Sequence, residues 1–95
     1  VTAPPAFDSD QAWSLHPKVA IRPEPFGALA YHYDNRRLNF LRSTELVDLL
    51  ESLGDHPSAR AALADSGIDR ARWPAYERAL AALAASEVIS SRTRT

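Results

Sequence analysis

Lys18-Val19-Ala20-Ile21-Arg22-Pro23-Glu24-Pro25-Phe26-Gly27-Ala28-Leu29-Ala30-Tyr31-His32-Tyr33-Asp34-Asn35-Arg36-Arg37-Leu38-Asn39-Phe40-Leu41 is the stretch that decides the fold. Lys18 to Arg22 is a short β-rich run, and Pro23 and Pro25 beyond it demand a turn or an edge. Phe26 to Tyr33 predicts a second strand. Leu29, Tyr31 and Tyr33 share one face of it, Ala28, Ala30 and His32 the other. Asp34-Asn35 suits a two-residue hairpin turn, because both residue types tolerate positive φ. Arg36 to Leu41 then completes a three-stranded antiparallel sheet, and its alternation assigns Leu38 and Phe40 together to the core face.

Ahead of the sheet, Trp13 and Leu15 are the first apolar anchors. Residues 1–12, with Pro4 and Pro5 and no periodicity, read as a flexible arm. Beyond the sheet the pattern turns helical. Ser43 is a natural N-cap with Glu45 in the first turn, and Leu46, Leu49, Leu50 and Leu53 form one stripe up to Gly54. Pro57 suits the first turn of a second helix that Gly67 stops, and Pro74 opens a third, striped by Tyr76, Leu80 and Leu83. Val88-Ile89 closes the fold, the chain frays from Ser90, and residues 91–95 form a flexible tail. The order βββααα predicts an α+β, winged helix-turn-helix-like domain over residues 13–90.

Ala79 to Ala85 is apolar all round, whereas a surface helix on a small domain carries a wet face. Either alanine is simply a good helix former there, or a second face lines a shallow groove that another backbone can approach.

Composition narrows the function. The 95 residues are 45% hydrophobic and 24% charged, which is ordinary for a globular chain. Cysteine is absent, excluding thiolate catalysis, disulfides and cysteine-ligated metals. No run approaches the ~18 apolar residues of a membrane span, and Val1-Thr2-Ala3-Pro4-Pro5 does not read as a signal peptide. The expectation is a cytoplasmic domain that meets no membrane. The net charge of −1 conceals segregation. Residues 16–42 hold five cations against two anions, 43–69 one against six, and 70–95 five against two. Two basic segments flanking an acidic one suit an acidic partner, provided they meet in space.

Enzymatic chemistry finds no support. His16, His32 and His56 read as a loop residue, a packed or solvated strand residue and a helix cap. Three glycines cannot build a phosphate cradle. Glu45, Asp48 and Glu51 form a solvated helix face, not a catalytic pair. No cofactor, metal or catalytic residue is expected. The alternative, a small winged-helix DNA-binding regulator, needs a cationic recognition helix; the last helix offers Arg78 and then alanine and leucine, and the pI is near 6.3. No nucleic-acid partner is expected.

A peptide-binding module remains. The last strand of a meander is an edge, and an edge invites an extended peptide to add a strand. Arg36 and Arg37 either favour a carboxylate-rich guest or guard the edge against aggregation. Combined with the alanine-walled last helix, the groove is favoured.

Trp13 through Tyr33, then Arg36-Arg37-Leu38-Asn39-Phe40-Leu41, Pro57-Ser58-Ala59 and Tyr76 to Ile89, resemble the mycofactocin biosynthesis peptide chaperones, a family of PqqD-like RiPP recognition elements. The likeness spans about residues 13–92. Ile21-Arg22-Pro23-Glu24-Pro25-Phe26-Gly27 with the Arg36–Leu41 run is specific to that family. Leu38-Asn39 before a helix is shared more widely with the pyrroloquinoline quinone peptide chaperone. Asp34 stands where the family often has glycine, a change the same backbone region tolerates. The resemblance implies a non-catalytic peptide chaperone. Such a chaperone captures the glutamate-rich leader of a ribosomally made precursor peptide and presents it to a radical SAM maturase. It also implies that the leader lies as an added strand between the third strand and the third helix. On this chain those walls are Arg36, Arg37, Leu38, Asn39, Phe40 and Leu41 on one side, and Tyr76, Ala79, Leu80 and Leu83 on the other. Leu41→Pro would block strand addition if the Leu41 N–H faces the guest. The same free edge can pair with a second copy, giving an edge-strand homodimer.

Overall fold

The computed structural model describes residues 7–92. Within it, β1 (Trp13–Leu15), β2 (Val19–Glu24), β3 (Gly27–His32) and β4 (Leu38–Leu41) precede the helices α1 (Thr44–Ser52), α2 (Ala59–Ser66) and α3 (Trp73–Ala85). A last strand, β5 (Ile89–Ser91), ends the fold. β2, β3 and β4 form an antiparallel sheet in that order, so the α+β architecture with a βββααα core is as the sequence predicts.

β1 and β5 add a feature the sequence did not suggest. They pair antiparallel, Leu15 opposite Ile89 and Trp13 opposite Ser91, and so tie the two ends of the domain together. Ser90 and Ser91 therefore belong to a strand, while residues 93–95 of the expected tail lie outside the described residues. Residues 7–12 are also engaged. The carbonyls of Gln11 and Ser9 accept the N–H groups of Ala59 and Arg60, two donors that the start of α2 leaves without an intrahelical partner. The Phe7 ring lies 5.2 Å from that of Trp13. Residues 1–6 of the expected arm lie outside the described residues.

Local chemistry sets the helix ends. Ser43 Oγ accepts from Leu46 N–H at 3.1 Å, as a serine N-cap does. Ser58 caps α2 through Ala61 N–H at 3.0 Å, so Pro57 lies ahead of the cap and not in the first turn, and Gly67 ends that helix in the left-handed region at φ 82°. Pro74 sits in the first turn of α3. The core gathers Trp13, Leu41, Leu49, Leu50, Leu53, Leu63, Leu80 and Ile89, each at most 2% exposed. Burying each aliphatic side chain of that set is worth roughly 1.5–3 kcal/mol.

The sheet corrects three expectations. Leu38 and Phe40 are 51% and 55% exposed, and Ala28 and Ala30 are the fully buried pair. Register explains the grouping: Tyr31 stands opposite Leu38 and Leu29 opposite Phe40, so the bulky set stays together and faces outward. The alanine face is thin, which lets α1 lie close against β3. β2 does not stop at Pro23 but runs on to Glu24, tolerable because β2 is an edge strand. The second hairpin takes its positive φ at Arg36 (65°), not at Asp34 or Asn35. His32 Nδ1 accepts the N–H groups of both Asp34 and Asn35 at 3.2 Å, which holds those two residues in an ordinary turn. Among the described residues no helix is long and apolar enough to cross a membrane.

Candidate functional site

Among the described residues, β4 pairs with another strand on one side only. The His32 N–H donates to the Arg37 carbonyl at 3.0 Å, which fixes the phase of the β3–β4 ladder. Antiparallel alternation then turns the main-chain groups of Asn39 and Leu41 toward β3, and those of Leu38 and Phe40 away from it. The Leu41 carbonyl lies against the space where Gly27 would carry a Cβ, consistent with that phase. The free edge therefore offers donors and acceptors from Leu38 and Phe40. The Leu41 N–H does not face it.

Next to this edge, where β4 gives way to α1, a cavity of about 190 Å³ opens toward α3. Its walls are Arg42, Ser43, Leu46, Ala75, Tyr76 and Ala79. The volume suits one or two aliphatic side chains and is well below the ~300–1,000 Å³ of a small-molecule site. Glu45 holds one wall in place: it accepts from Arg72 at 2.7 Å and from the Tyr76 hydroxyl at 2.9 Å. Those two hydrogen bonds, that of Arg72 first, keep the Glu45 carboxyl below its ordinary pKa. A larger cavity of about 240 Å³ lies between α1 and α2, lined in part by Glu45, Asp48, His56 and Asp65. Its acidic lining repels an acidic peptide.

The structure brings together some of the residues the sequence singled out. Tyr76 and Ala79 line the cavity beside the β4 edge. Leu38 and Phe40 lie on the outer face of the sheet, and Asn39 is half-buried. Leu41, Leu80 and Leu83 are at most 6% exposed and support the walls from the core. Arg36 and Arg37 are exposed at the hairpin end of β4. Arg42 is the cation at the cavity, five residues or roughly 17 Å of extended chain away. Arg42, Ser43, Leu46 and Ala75 escaped the sequence reading. The available signals were the spacing of Ala75 and Ala79 by one helical turn and the position of Arg42 just before the Ser43 cap. Ala81, Ala82 and Ala85 are exposed, so the groove wall is the first half of α3 only.

His16 lies in a loop and His32 is packed at the end of β3, as expected, but the two meet, which the sequence did not suggest. The His16 and His32 rings lie with centroids 4.4 Å apart, tilted by 46°, and a nitrogen of each lies within 4.8 Å of the Glu87 carboxylate. Each Nδ1 accepts backbone N–H groups, from Lys18 in one ring and from Asp34 and Asn35 in the other. Each neutral ring therefore carries its proton on Nε2. Nε2 of His32 is buried with no hydrogen-bond partner among the described residues. With each Nδ1 taken up by backbone N–H groups and each Nε2 protonated, neither ring is set to bind a cation.

Burial, and then the neighbouring His32, lower the His16 pKa from its ordinary 6.5, with Glu87 and Asp34 opposing. The fold thus disfavours protonated His16. Stability is fully present above pH 6.5 and is expected to fall as the pH drops through that value, levelling below the folded pKa. Urea midpoints between about pH 7.5 and pH 5 test this, because carboxylates mostly titrate lower. His16→Gln is expected to flatten the dependence; an unchanged slope would refute it.

A three-stranded antiparallel sheet whose β4 edge lies beside a helix-walled apolar cavity, carried on three helices, places this protein among small α+β domains with an open strand edge. The comparisons with known proteins go further. The profile of the peptide chaperone MftB family matches residues 12–90, and the chain belongs to that family. It is 45% identical over 84 residues to the peptide chaperone MftB of Mycobacterium ulcerans, covering 88% of this chain and 77% of the relative. It is 43% identical over 89 residues to that of Mycobacterium tuberculosis, covering 94% and 82%. Against the Mycolicibacterium smegmatis protein of the same name the identity is 46% over 83 residues, covering 87% and 81%. No solved structure matches the chain.

Proposed function

We propose that this chain is a non-catalytic peptide chaperone of mycofactocin biosynthesis. It binds the glutamate-rich leader of a ribosomally made precursor peptide by β-strand addition and presents it to a radical SAM maturase. The observation that carries this is the free β4 edge, with outward main-chain groups at Leu38 and Phe40, set beside the cavity walled by Leu46, Ala75, Tyr76 and Ala79. Main-chain hydrogen bonds along the edge supply affinity, and alternate guest side chains enter the cavity. Arg36 and Arg37 at one end of β4 and Arg42 at the other meet leader glutamates. Membership of a family of peptide chaperones supports the same role. Presentation acts by raising the effective concentration of substrate at the enzyme.

Calorimetric titration with a synthetic glutamate-rich leader, at low and moderate salt, tests the proposal. One-to-one binding that weakens with salt is expected, and no binding by the folded chain would overturn it. Exposed ion pairs contribute ~0.2–1 kcal/mol each, and reversing two charges replaces attraction by repulsion. Arg36→Glu with Arg37→Glu is therefore expected to weaken binding about tenfold at low salt and to reduce its salt dependence. Both positions are exposed, so the fold should survive. Unchanged affinity would remove the arginines from the interface.

A further inference from the structure

Phe26, Tyr31, Tyr33, Leu38 and Phe40 are the large hydrophobic side chains that stand exposed among the described residues, at 39–55%. They share one place. Tyr31 and Leu38 are register partners, Phe40 pairs with Leu29, and Phe26 stacks on Phe40 at a centroid distance of 5.9 Å. Tyr33 continues the alternation of Leu29 and Tyr31. Exposed apolar residues scattered singly need no explanation, but a contiguous patch on one sheet face marks an interaction surface.

The patch has a cationic border. Arg42 lies over the Phe40 ring at 5.8 Å, Arg22 stands opposite Leu29 on β2, and Lys18 adjoins Tyr33, whose N–H donates to its carbonyl. Glu24, the one carboxylate on the three strands of this sheet, is held by Arg22 at 3.0 Å. An apolar centre with a positive rim is complementary to an apolar centre with a negative rim. Two copies of this chain meeting face to face would bring their own cations together. A nucleic-acid strand needs open aromatic faces for its bases, and here Phe26 and Phe40 cover each other while Arg42 sits on Phe40.

We infer that the outer face of the β2–β3–β4 sheet is the surface on which the peptide-modifying enzyme docks, through an acid-rimmed apolar patch of its own. This rests on the chain being a presenter of peptide, as proposed above. Continuity supports it. Leu38 and Phe40 carry both the free main-chain edge and part of the patch, so an enzyme seated on the face lies directly beside the guest strand. The acidic surface of α1 then stays turned away from an acidic partner.

The test compares the wild type with Arg22→Glu/Tyr31→Ser and with Phe26→Ser, each checked by circular dichroism and thermal melting. Phe26 is in a turn, so it remains informative should the double variant fold poorly. Each is titrated separately with the radical SAM maturase and with the synthetic leader. The expected result is maturase affinity reduced at least tenfold with leader affinity held within twofold. Undiminished maturase affinity in folded variants overturns the docking face and leaves leader binding standing. Parallel loss of leader affinity overturns it by making the face part of the leader site. A wild-type dimer in sedimentation that these variants dissolve assigns the face to a second copy, and tight binding of single-stranded oligonucleotide assigns it to nucleic acid; both overturn the inference. A wild type that binds neither leader nor maturase overturns the peptide-presenting function itself, and the inference with it.

Discussion

Phe40→Pro is expected to leave the domain folded while weakening its hold on the leader about a hundredfold. The Phe40 N–H points away from β3, so proline there removes no hydrogen bond of the native ladder. Phe40 is 55% exposed, and the lost ring opens no cavity in the core. Asn39, the residue before it, already lies in a strand, the region that a following proline favours. In the proposed complex the guest, in contrast, loses a donor in the middle of its pairing strand and meets the pyrrolidine ring where its own carbonyl should sit. One lost hydrogen bond and one carbonyl left unsatisfied amount to about 2–4 kcal/mol, which centres on a hundredfold. Phe40→Ala separates the two contributions: it keeps the N–H and is expected to weaken binding only a few fold. Titration of a synthetic leader against the three proteins gives the answer. Full affinity in a folded Phe40→Pro variant would exclude strand addition at this edge and point to a helix lying in the groove. The same substitution at Leu41 would be uninformative, because the Leu41 N–H belongs to the β3–β4 ladder and the side chain to the core.

The course of the chain was largely legible, because its determinants are local. Serine and proline at helix starts, glycine at a helix end, and the alternation of Leu29, Tyr31, Leu38 and Phe40 each act through neighbours in sequence. Which face of the sheet enters the core is not local. Bulk alone argues for Leu38 and Phe40, yet Ala28 and Ala30 are the buried pair, and only the packing of α1 against β3 decides it. The β1–β5 pair is non-local for the same reason: Trp13 meets Ser91 across 78 positions, and three-residue strands leave no periodicity to detect. The partnership of His16 and His32 likewise arises from a loop and the end of β3 brought side by side.

The candidate site divides along the same line. Its strand wall was legible as an edge from topology, and Tyr76 and Ala79 from the pattern of the last helix. Its floor comes from Arg42, Ser43 and Leu46, whose sequence signals describe a helix cap and a core stripe. Charge counting suggested two basic segments meeting an acidic guest. In the fold, however, several of those cations are already engaged: Arg72 by Glu45, and Arg92 by the carbonyls of Trp13 and His56. The cations that remain at the β4 edge come from the sheet, at Arg36, Arg37 and Arg42. On the proposed function, attraction for an acidic peptide is thus concentrated at the two ends of one strand.

Gly27→Ala is expected to destabilise the domain by on the order of 3 kcal/mol, more than the same change at Gly54 or Gly67. Two separate costs combine. Gly27 has φ +147°, a region that side-chain-bearing residues rarely adopt and that costs roughly 1–3 kcal/mol to enforce. An added Cβ would also overlap the Leu41 carbonyl and press on the Ser43 N–H, both backbone atoms that no rotamer change can move aside. Overpacking of that kind costs a further ~1–3 kcal/mol. Relief would require β4 to move away from β3, which would shift Leu41 in the core and the Ser43 cap of α1 together. The consequence therefore reaches function: the free β4 edge and the cavity at the β4–α1 junction depend on that close approach. Gly67→Ala is the control, since its φ of +82° carries a similar backbone cost but an added Cβ meets nothing within 4 Å. Urea unfolding of the two variants should show Gly27→Ala the less stable by the overlap contribution. Equal losses would mean that β4 yields at Gly27 without cost, and that the edge and cavity are softer than their packing implies.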